Sequence, residues 1–372
     1  MKFNKIILSA FCAASLVGCT QKTQLDDPTL KAYFGDKFLI GVAINVNQSS
    51  EKDSLGVAVV KRHFNSVVAE DCMKCENIHP EEHRFFWDEA DQFVKFGEEN
   101  GMAVIGHCLI WHSQCAPWFF VDSEGNQIDA ETLKERMRTH ITTIVNRYRG
   151  RIKGYDVVNE AVLDNGQMRQ SKFYEILGDE YIPWAFKCAH EADPDAELYY
   201  NDYSMALPAK RETVIKLVKN LQARGLRIDA VGMQSHMGMG HPDFSEYEKT
   251  IQAIIGTGID VQFTELDMDA IPSISFGAAV EDREAYRAQM NPYTEGLPDS
   301  VSNIWNTRMK QVFQIYDKYS DHIKRVTAWG VSDGDSWKNN WPMKGRTNYP
   351  LLFDRNYEMK SFLKEMLGIN KK

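Results

Sequence analysis

From about residue 38 to residue 367, short apolar runs rich in β-branched residues alternate with longer stretches in which apolar positions recur every three or four residues. The short runs predict strands near Phe38–Ala43, Ser66–Ala69, Ala103–Leu109, Gly154–Asn159, Glu197–Asn201, Ala230–Gln234, Asp260–Thr264 and Arg325–Trp329. The longer stretches read as amphipathic helices: Trp87, Ala90, Phe93, Val94 and Gly97 share one face, as do Ile141, Ile144, Val145 and Tyr148. Strand and helix in strict alternation imply a parallel sheet whose strands are each returned by a helix, and eight such units close most naturally as a (β/α)8 barrel. No internal linker rich in Pro, Gly or Ser interrupts the pattern, so residues 36–372 are expected to form a single catalytic domain. The longest irregular stretch, Ala270–Asn303, follows the seventh strand, and a loop of that length is usually functional.

The chain of 372 residues suits one large α/β barrel, and its 43% hydrophobic content supplies the core. Acidic residues outnumber basic ones 52 to 43 with no Lys or Arg stripe, so nucleic acid is excluded as a partner. Ahead of the barrel, Lys2 and Lys5 flank an apolar stretch, Ile6 to Val17, that is too short to span a bilayer and has the form of an export signal. It ends in Leu16-Val17-Gly18-Cys19, which resembles the lipobox of bacterial lipoproteins. That resemblance implies cleavage after residue 18, a lipid on Cys19, a linker over residues 19–35, and an exported protein held at a membrane, with the outer membrane expected. Setting aside Cys12 in the signal and Cys19, five cysteines remain, an odd set that cannot pair completely. Cys72-x-x-Cys75 has no second pair or histidine at zinc-site spacing, so these are read as plain thiols and no metal is expected.

In a barrel of this kind the chemistry lies where the strands end. Two glutamates follow apolar strands: Glu160 after Tyr155-Asp156-Val157-Val158-Asn159, and Glu265 after Val261-Gln262-Phe263-Thr264. A carboxylate at the end of a buried strand is costly unless it is paired or used. Either one alone reads as a surface group or an ion-pair partner. Two on facing strands match a retaining glycosidase, which needs a nucleophile and a proton donor about 5–5.5 Å apart. Two neighbouring carboxyls do not both ionise cheaply, so one holds the proton, and that one is assigned to Glu160. Once Glu265 has become a glycosyl ester its charge is gone and Glu160 can act as base toward water. Asn159 is placed to meet the sugar 2-hydroxyl, and His236 to orient Glu265.

Trp111, Trp118, Trp329, Trp337 and Trp341 fall in the segments after the third and eighth strands, where they read as flat walls for sugar rings. Lys74, His107, His112 and Gln114 would add directional hydrogen bonds to ring hydroxyls.

The strings Phe64-Asn65-Ser66-Val67, Gly106-His107, Trp111-His112-Ser113-Gln114, Asp156-Val157-Val158-Asn159-Glu160, Asn201-Asp202-Tyr203, Gln234-Ser235-His236, Thr264-Glu265-Leu266-Asp267 and Trp329-Gly330-Val331-Ser332-Asp333 occur in that order. Together they resemble glycoside hydrolase family 10, the barrel family of endo-β-1,4-xylanases, over about residues 36–366. The resemblance implies retaining hydrolysis of internal xylan linkages without metal or organic cofactor, with xylan and xylo-oligosaccharides as the partners of a monomer. It implies that Glu70, Asp71, Lys74, His107, Trp111 and Gln114 shape the subsites on the non-reducing side of the cut, that Tyr203 contacts substrate, and that Trp329 and Trp337 close the subsite at the cut. Gln234, His236 and Asp267 are expected to hold Glu265. Three positions depart from the family's usual residues: Asp71 stands for Asn, Cys75 for Trp and Tyr155 for Trp. Asp71 lacks an amide donor and can meet a sugar hydroxyl only as an acceptor. Two other readings stay open at this level, a glycan-binding lipoprotein without turnover and a cellulase or mixed β-glucanase of a related barrel family.

Overall fold

The computed structural model of the chain describes residues 28–271 and 289–369. The N-terminal signal with Cys19, and half of the irregular stretch Ala270–Asn303, lie outside the described residues. The strands are β1 (Leu39–Ile44), β2 (Ser66–Ala69), β3 (Ala103–Trp111), β4 (Gly154–Asn159), β5 (Glu197–Asp202), β6 (Ala230–Met233), β7 (His236–Gly238), β8 (Asp260–Asp269) and β9 (Ile323–Ala328). Every pairing among them is parallel, and β6 pairs with β8 while β9 pairs with β1, so the sheet closes on itself. The short β7 continues the stave begun by β6, after a break at Gln234 and Ser235, and runs alongside Asp267–Asp269 of β8. Counting that stave once, eight strands form the barrel.

The helices that return the chain outside the barrel are α1 (Ser54–His63), α2 (Asp88–Glu99), α3 (Ala130–Arg147), α4 (Tyr181–Ala192), α5 (Pro208–Ala223), α6 (Phe244–Ile255), α7 (Asp299–Lys318) and α8 (Ser361–Met366). Local chemistry sets several of their starts. Asp53, Asp129 and Asp243 each accept from backbone N–H groups of the first turn and satisfy donors that have no partner inside the helix. Proline at the first turn of α5 sacrifices an amide that would have been unpaired in any case. The apolar stripe of α2 buries Ala90, Phe93, Val94, Phe96 and Gly97, and that of α3 buries Ile141, Ile144 and Val145.

Two strands run further than their apolar runs. β3 continues to Trp111, and β8 continues through Glu265 to Asp269 because β7 supplies a partner beyond the end of β6. Glu265 therefore sits inside a strand rather than after one. In the other direction, the irregular stretch expected to reach Asn303 ends earlier, since α7 begins at Asp299, and residues 272–288 of it lie outside the described residues.

The barrel lumen is packed with Ala43, Val68, Ile105, Tyr199, Ala230 and Trp329. Beneath the mouth runs a buried polar chain: Arg325 donates to Gln262 (2.9 Å) and lies 3.6 Å from Asp156, whose other oxygen is 2.9 Å from Nδ1 of His107. Each buried charge thus has an opposite charge beside it, the condition under which burial is tolerated.

Candidate active site

Glu265 projects from β8 into the mouth and is 5% exposed, so its charge must be met by protein groups rather than water. Asn201 at the end of β5 donates its amide to Oε1 at 2.9 Å, and Nε2 of His236 lies 3.1 Å from Oε2. Behind the imidazole, Asp267 lies 3.0 Å from Nδ1, and the indole of Trp337 donates to its second oxygen at 2.9 Å. Burial alone would raise the Glu265 carboxyl. The His236 hydrogen bond, the charges of His107 and His236 and the Asn201 amide outweigh it and hold the group below its ordinary 4.5. Burial would likewise discharge His236, but the charge of Asp267, with help from Glu265, pushes it up to about 9. Glu265 is accordingly an anion backed by an imidazolium, which is itself backed by a second carboxylate.

Glu160 follows the last residue of β4, half-buried, and lines a small depression with Trp111, Asn159 and Arg169. The Trp111 indole donates to Oε2 at 2.8 Å and the Gln234 amide to Oε1 at 3.0 Å. Its backbone is left-handed, with φ of 59°, a conformation that costs a side-chain-bearing residue roughly 1–2 kcal/mol and persists only when the surroundings impose it. Here the Glu160 N–H donates to the Asn201 carbonyl (2.9 Å), and Nε of Arg169 donates to the Glu160 carbonyl (2.9 Å).

Three amides join the two carboxylates into one network. Asn159 accepts from Asn201 at 3.0 Å and from Gln234 at 3.3 Å, so Asn201 connects it to Glu265 and Gln234 connects it to Glu160. The close approach of these strands needs Gly232: a Cβ there would stand 2.3 Å from Oδ1 of Asn201 and 2.8 Å from the Thr264 methyl. Among the described residues no cluster of three His, Cys, Asp or Glu side chains has the geometry of a metal site.

The other side of Trp111 faces a charged rim. Lys74 is buried 5.4 Å from its ring and pairs with the exposed Asp71 at 2.8 Å. Glu70 adjoins them; burial, then the charges of Asp71 and Asp335, push it up to about 7 against the pull of Lys74. Gln114 donates to Glu76 at 2.8 Å, while Trp329 packs its edge against His107. Tyr203 carries Lys210 3.7 Å above its ring and accepts from Arg169.

A glycosyl hydrolase family 10 model matches residues 29–368. The chain belongs to glycosyl hydrolase family 10. Endo-1,4-β-xylanase A of Xylanibacter ruminicola is 52% identical over 364 residues, covering 97% of this chain and 99% of that protein. The endo-1,4-β-xylanase of Geobacillus stearothermophilus is 38% identical, covering 90% and 96%. Among solved structures, a family 10 endoxylanase from a sugarcane soil metagenome superposes with a TM-score of 0.86 at 40% identity, covering 92% of this chain and 99% of that one.

Within this family 10 barrel, the structure brings together Asn159, Glu160, Gln234, His236, Glu265, Asp267, Trp111 and Trp337 by direct contact, and sets Glu70, Asp71, Lys74, His107, Gln114, Tyr203 and Trp329 around them. Gln234, expected behind Glu265, meets it through the main chain, its carbonyl accepting the Glu265 N–H at 2.9 Å, while its side chain binds Glu160, because the chain breaks direction at Ser235 (φ 65°) and sends the Gln234 and His236 side chains to different carboxylates. Trp118, read from the sequence as a sugar wall, donates its indole to the His79 carbonyl and packs on His79 and Phe119. Trp341 is exposed, and His112 and Arg169 line a small depression beside Trp111 and Glu160. Of the departures, Asp71 is engaged with Lys74, Cys75 is a buried thiol 3.6 Å from Cys115, and Tyr155 packs over Gly106. Asn201 and Arg169 were not foreseen as site residues. Asn201 had a signal, since it ends an apolar strand beside Asp202 and Tyr203, whereas nothing in the spacing of Arg169 marks it.

Proposed function

We propose that this family 10 chain is an endo-1,4-β-xylanase that hydrolyses internal xylosidic bonds with retention, Glu265 acting as nucleophile and Glu160 as general acid and then base. The observation that carries the reading is the single amide network joining an ion-paired, buried Glu265 to a half-buried Glu160. An imidazolium and an amide keep Glu265 ionised, so it attacks the anomeric carbon while Glu160 delivers its proton to the departing oxygen. Charge then leaves Glu265 as the ester forms, and Glu160 takes a proton from the water that releases the sugar. Asn159 stands between them where a sugar 2-hydroxyl would bind, Lys74, His107, Gln114, Glu70 and Asp71 address ring hydroxyls, and Trp111, Trp329, Trp337 and Tyr203 frame the rings.

Glu265→Ala is expected to abolish xylan cleavage, with azide partly restoring turnover of an aryl xyloside and giving the inverted glycosyl azide. Full activity in that variant would end the assignment. A binding protein without turnover would have no reason to hold a buried nucleophile in its ionised form. Release of reducing ends from xylan, and not at comparable rates from carboxymethylcellulose, separates the xylanase from both alternatives.

We further propose export as a lipoprotein anchored through Cys19, supported by the charged and apolar leader and the Leu-Val-Gly-Cys string. Mass spectrometry of the membrane fraction should find the acylated Cys19, and Cys19→Ala should release the protein. A monomer is the matching state, since among the described residues the exposed large apolar side chains, Tyr33, Leu55, Phe86, Leu207, Ile304 and Trp341, are spread over separate elements. Light scattering tests it.

A further inference from the structure

Arg169 lies nine residues beyond Glu160, on the segment that follows β4. That segment doubles back: Val162 bridges Met168, and the Arg169 N–H donates to the Ala161 carbonyl at 2.8 Å. The turn returns the chain over the strand end, and the guanidinium meets two partners there. Nε donates to the Glu160 carbonyl at 2.9 Å, and Nη2 donates to the Tyr203 hydroxyl at 2.7 Å. Tyr203 is in turn fixed from below, its N–H donating to Asp202 and its ring facing the buried Lys210, which is paired with Asp202 at 2.8 Å. Arg169 is half-buried and belongs to the wall of the same depression as Glu160.

This clamp sits on a residue held in the left-handed region. A left-handed glutamate relaxes toward ordinary backbone angles unless its peptide groups are tied, and rotation there would swing the carboxyl away from Trp111 and Gln234. The planar fork of arginine reaches both Glu160 and Tyr203 in one fixed geometry, which a lysine ammonium on a flexible stem does not reproduce. We propose that Arg169 is a positioning residue for the acid/base, locking the Glu160 backbone against Tyr203 so that the carboxyl is held on the leaving oxygen. This rests on the reading of Glu160 as acid/base.

The experiment compares kcat/KM on aryl β-xylobiosides with a dinitrophenyl leaving group, which departs without protonation, and with a poorer phenolic leaving group, which needs it. Glu160→Ala should lose about 10²- to 10⁴-fold on the poor leaving group and little on the dinitrophenyl one. Arg169→Ala should lose about 10- to 100-fold on the poor leaving group, as expected for one lost hydrogen bond of a charged donor, with the dinitrophenyl substrate nearly untouched. Arg169→Lys should keep the fold and show the same sign at smaller size, which covers the case of an unstable alanine variant. Equal losses on both substrates for both Arg169 variants, or no loss on either, would overturn the proposal while leaving Glu160 in place. An even loss in Glu160→Ala would instead remove the reading beneath it.

Discussion

Replacing His236 by Gln removes the one group whose charge state couples Glu265 to Asp267, and the size of the effect follows from its protonation. In the fold the imidazole is pushed from 6.5 to about 9 by Asp267 and Glu265 working against burial, so folding favours the imidazolium by about 3 kcal/mol. The sign is that of a raised base: the contribution is complete below 6.5, where the unfolded chain is also protonated, and drains away as the pH rises through about 9. Glu265 and Asp267 are lowered from 4.5 and 3.8, so their share is present above those values and is lost as the pH falls through the folded ones. The triad therefore contributes fully between 4.5 and 6.5. Urea unfolding of wild type and His236→Gln should show a stability gap that is widest near pH 6 and narrows by about 3 kcal/mol toward pH 10. At neutral pH kcat should fall as well, since the variant lacks the imidazolium that offsets burial of the Glu265 anion. A gap of constant width across that range would refute the charged triad.

Asn201→Ala removes a donor from Glu265 and from Asn159 together, and should lower kcat by about 10- to 100-fold, the worth of a hydrogen bond to a charged acceptor, with melting temperature as the control for folding. Gly232→Ala places a methyl on the Asn201 amide and should cost about 1–3 kcal/mol of stability by overpacking, together with a fall in kcat on xylo-oligosaccharides.

The barrel was legible because its strands are buried on both faces and read as apolar runs, and because the helices between them carry a regular apolar stripe. Glu160 and Glu265 stood out as charges attached to such runs. What periodicity could not reach were features created by the third dimension. The reach of β8 past Thr264 depends on β7, three residues that carry no strand signature of their own. The family resemblance assigned both Gln234 and His236 to Glu265; the left-handed Ser235 between them turns the Gln234 side chain to Glu160 and leaves only its carbonyl on the Glu265 N–H. Trp118 follows Trp111 by seven residues and looks equivalent in composition, yet Trp111 ends β3 and reaches Glu160 while the indole of Trp118 bonds the His79 carbonyl. Arg169 acts through the main chain of Glu160, and a main-chain partner leaves no trace in side-chain spacing.

The interrupted stave has a consequence for how the enzyme can change. One tripeptide, Gln234-Ser235-His236, touches Glu160 with its first side chain and Glu265 with its last. A shift of that segment would misalign the bond-breaking step and the ester-forming step at once. Adjusting either half of the double displacement without penalty to the other therefore calls for substitutions on strands that serve a single glutamate. The segment between β6 and β7 should be the least forgiving stretch of the barrel in a library of random variants selected for turnover.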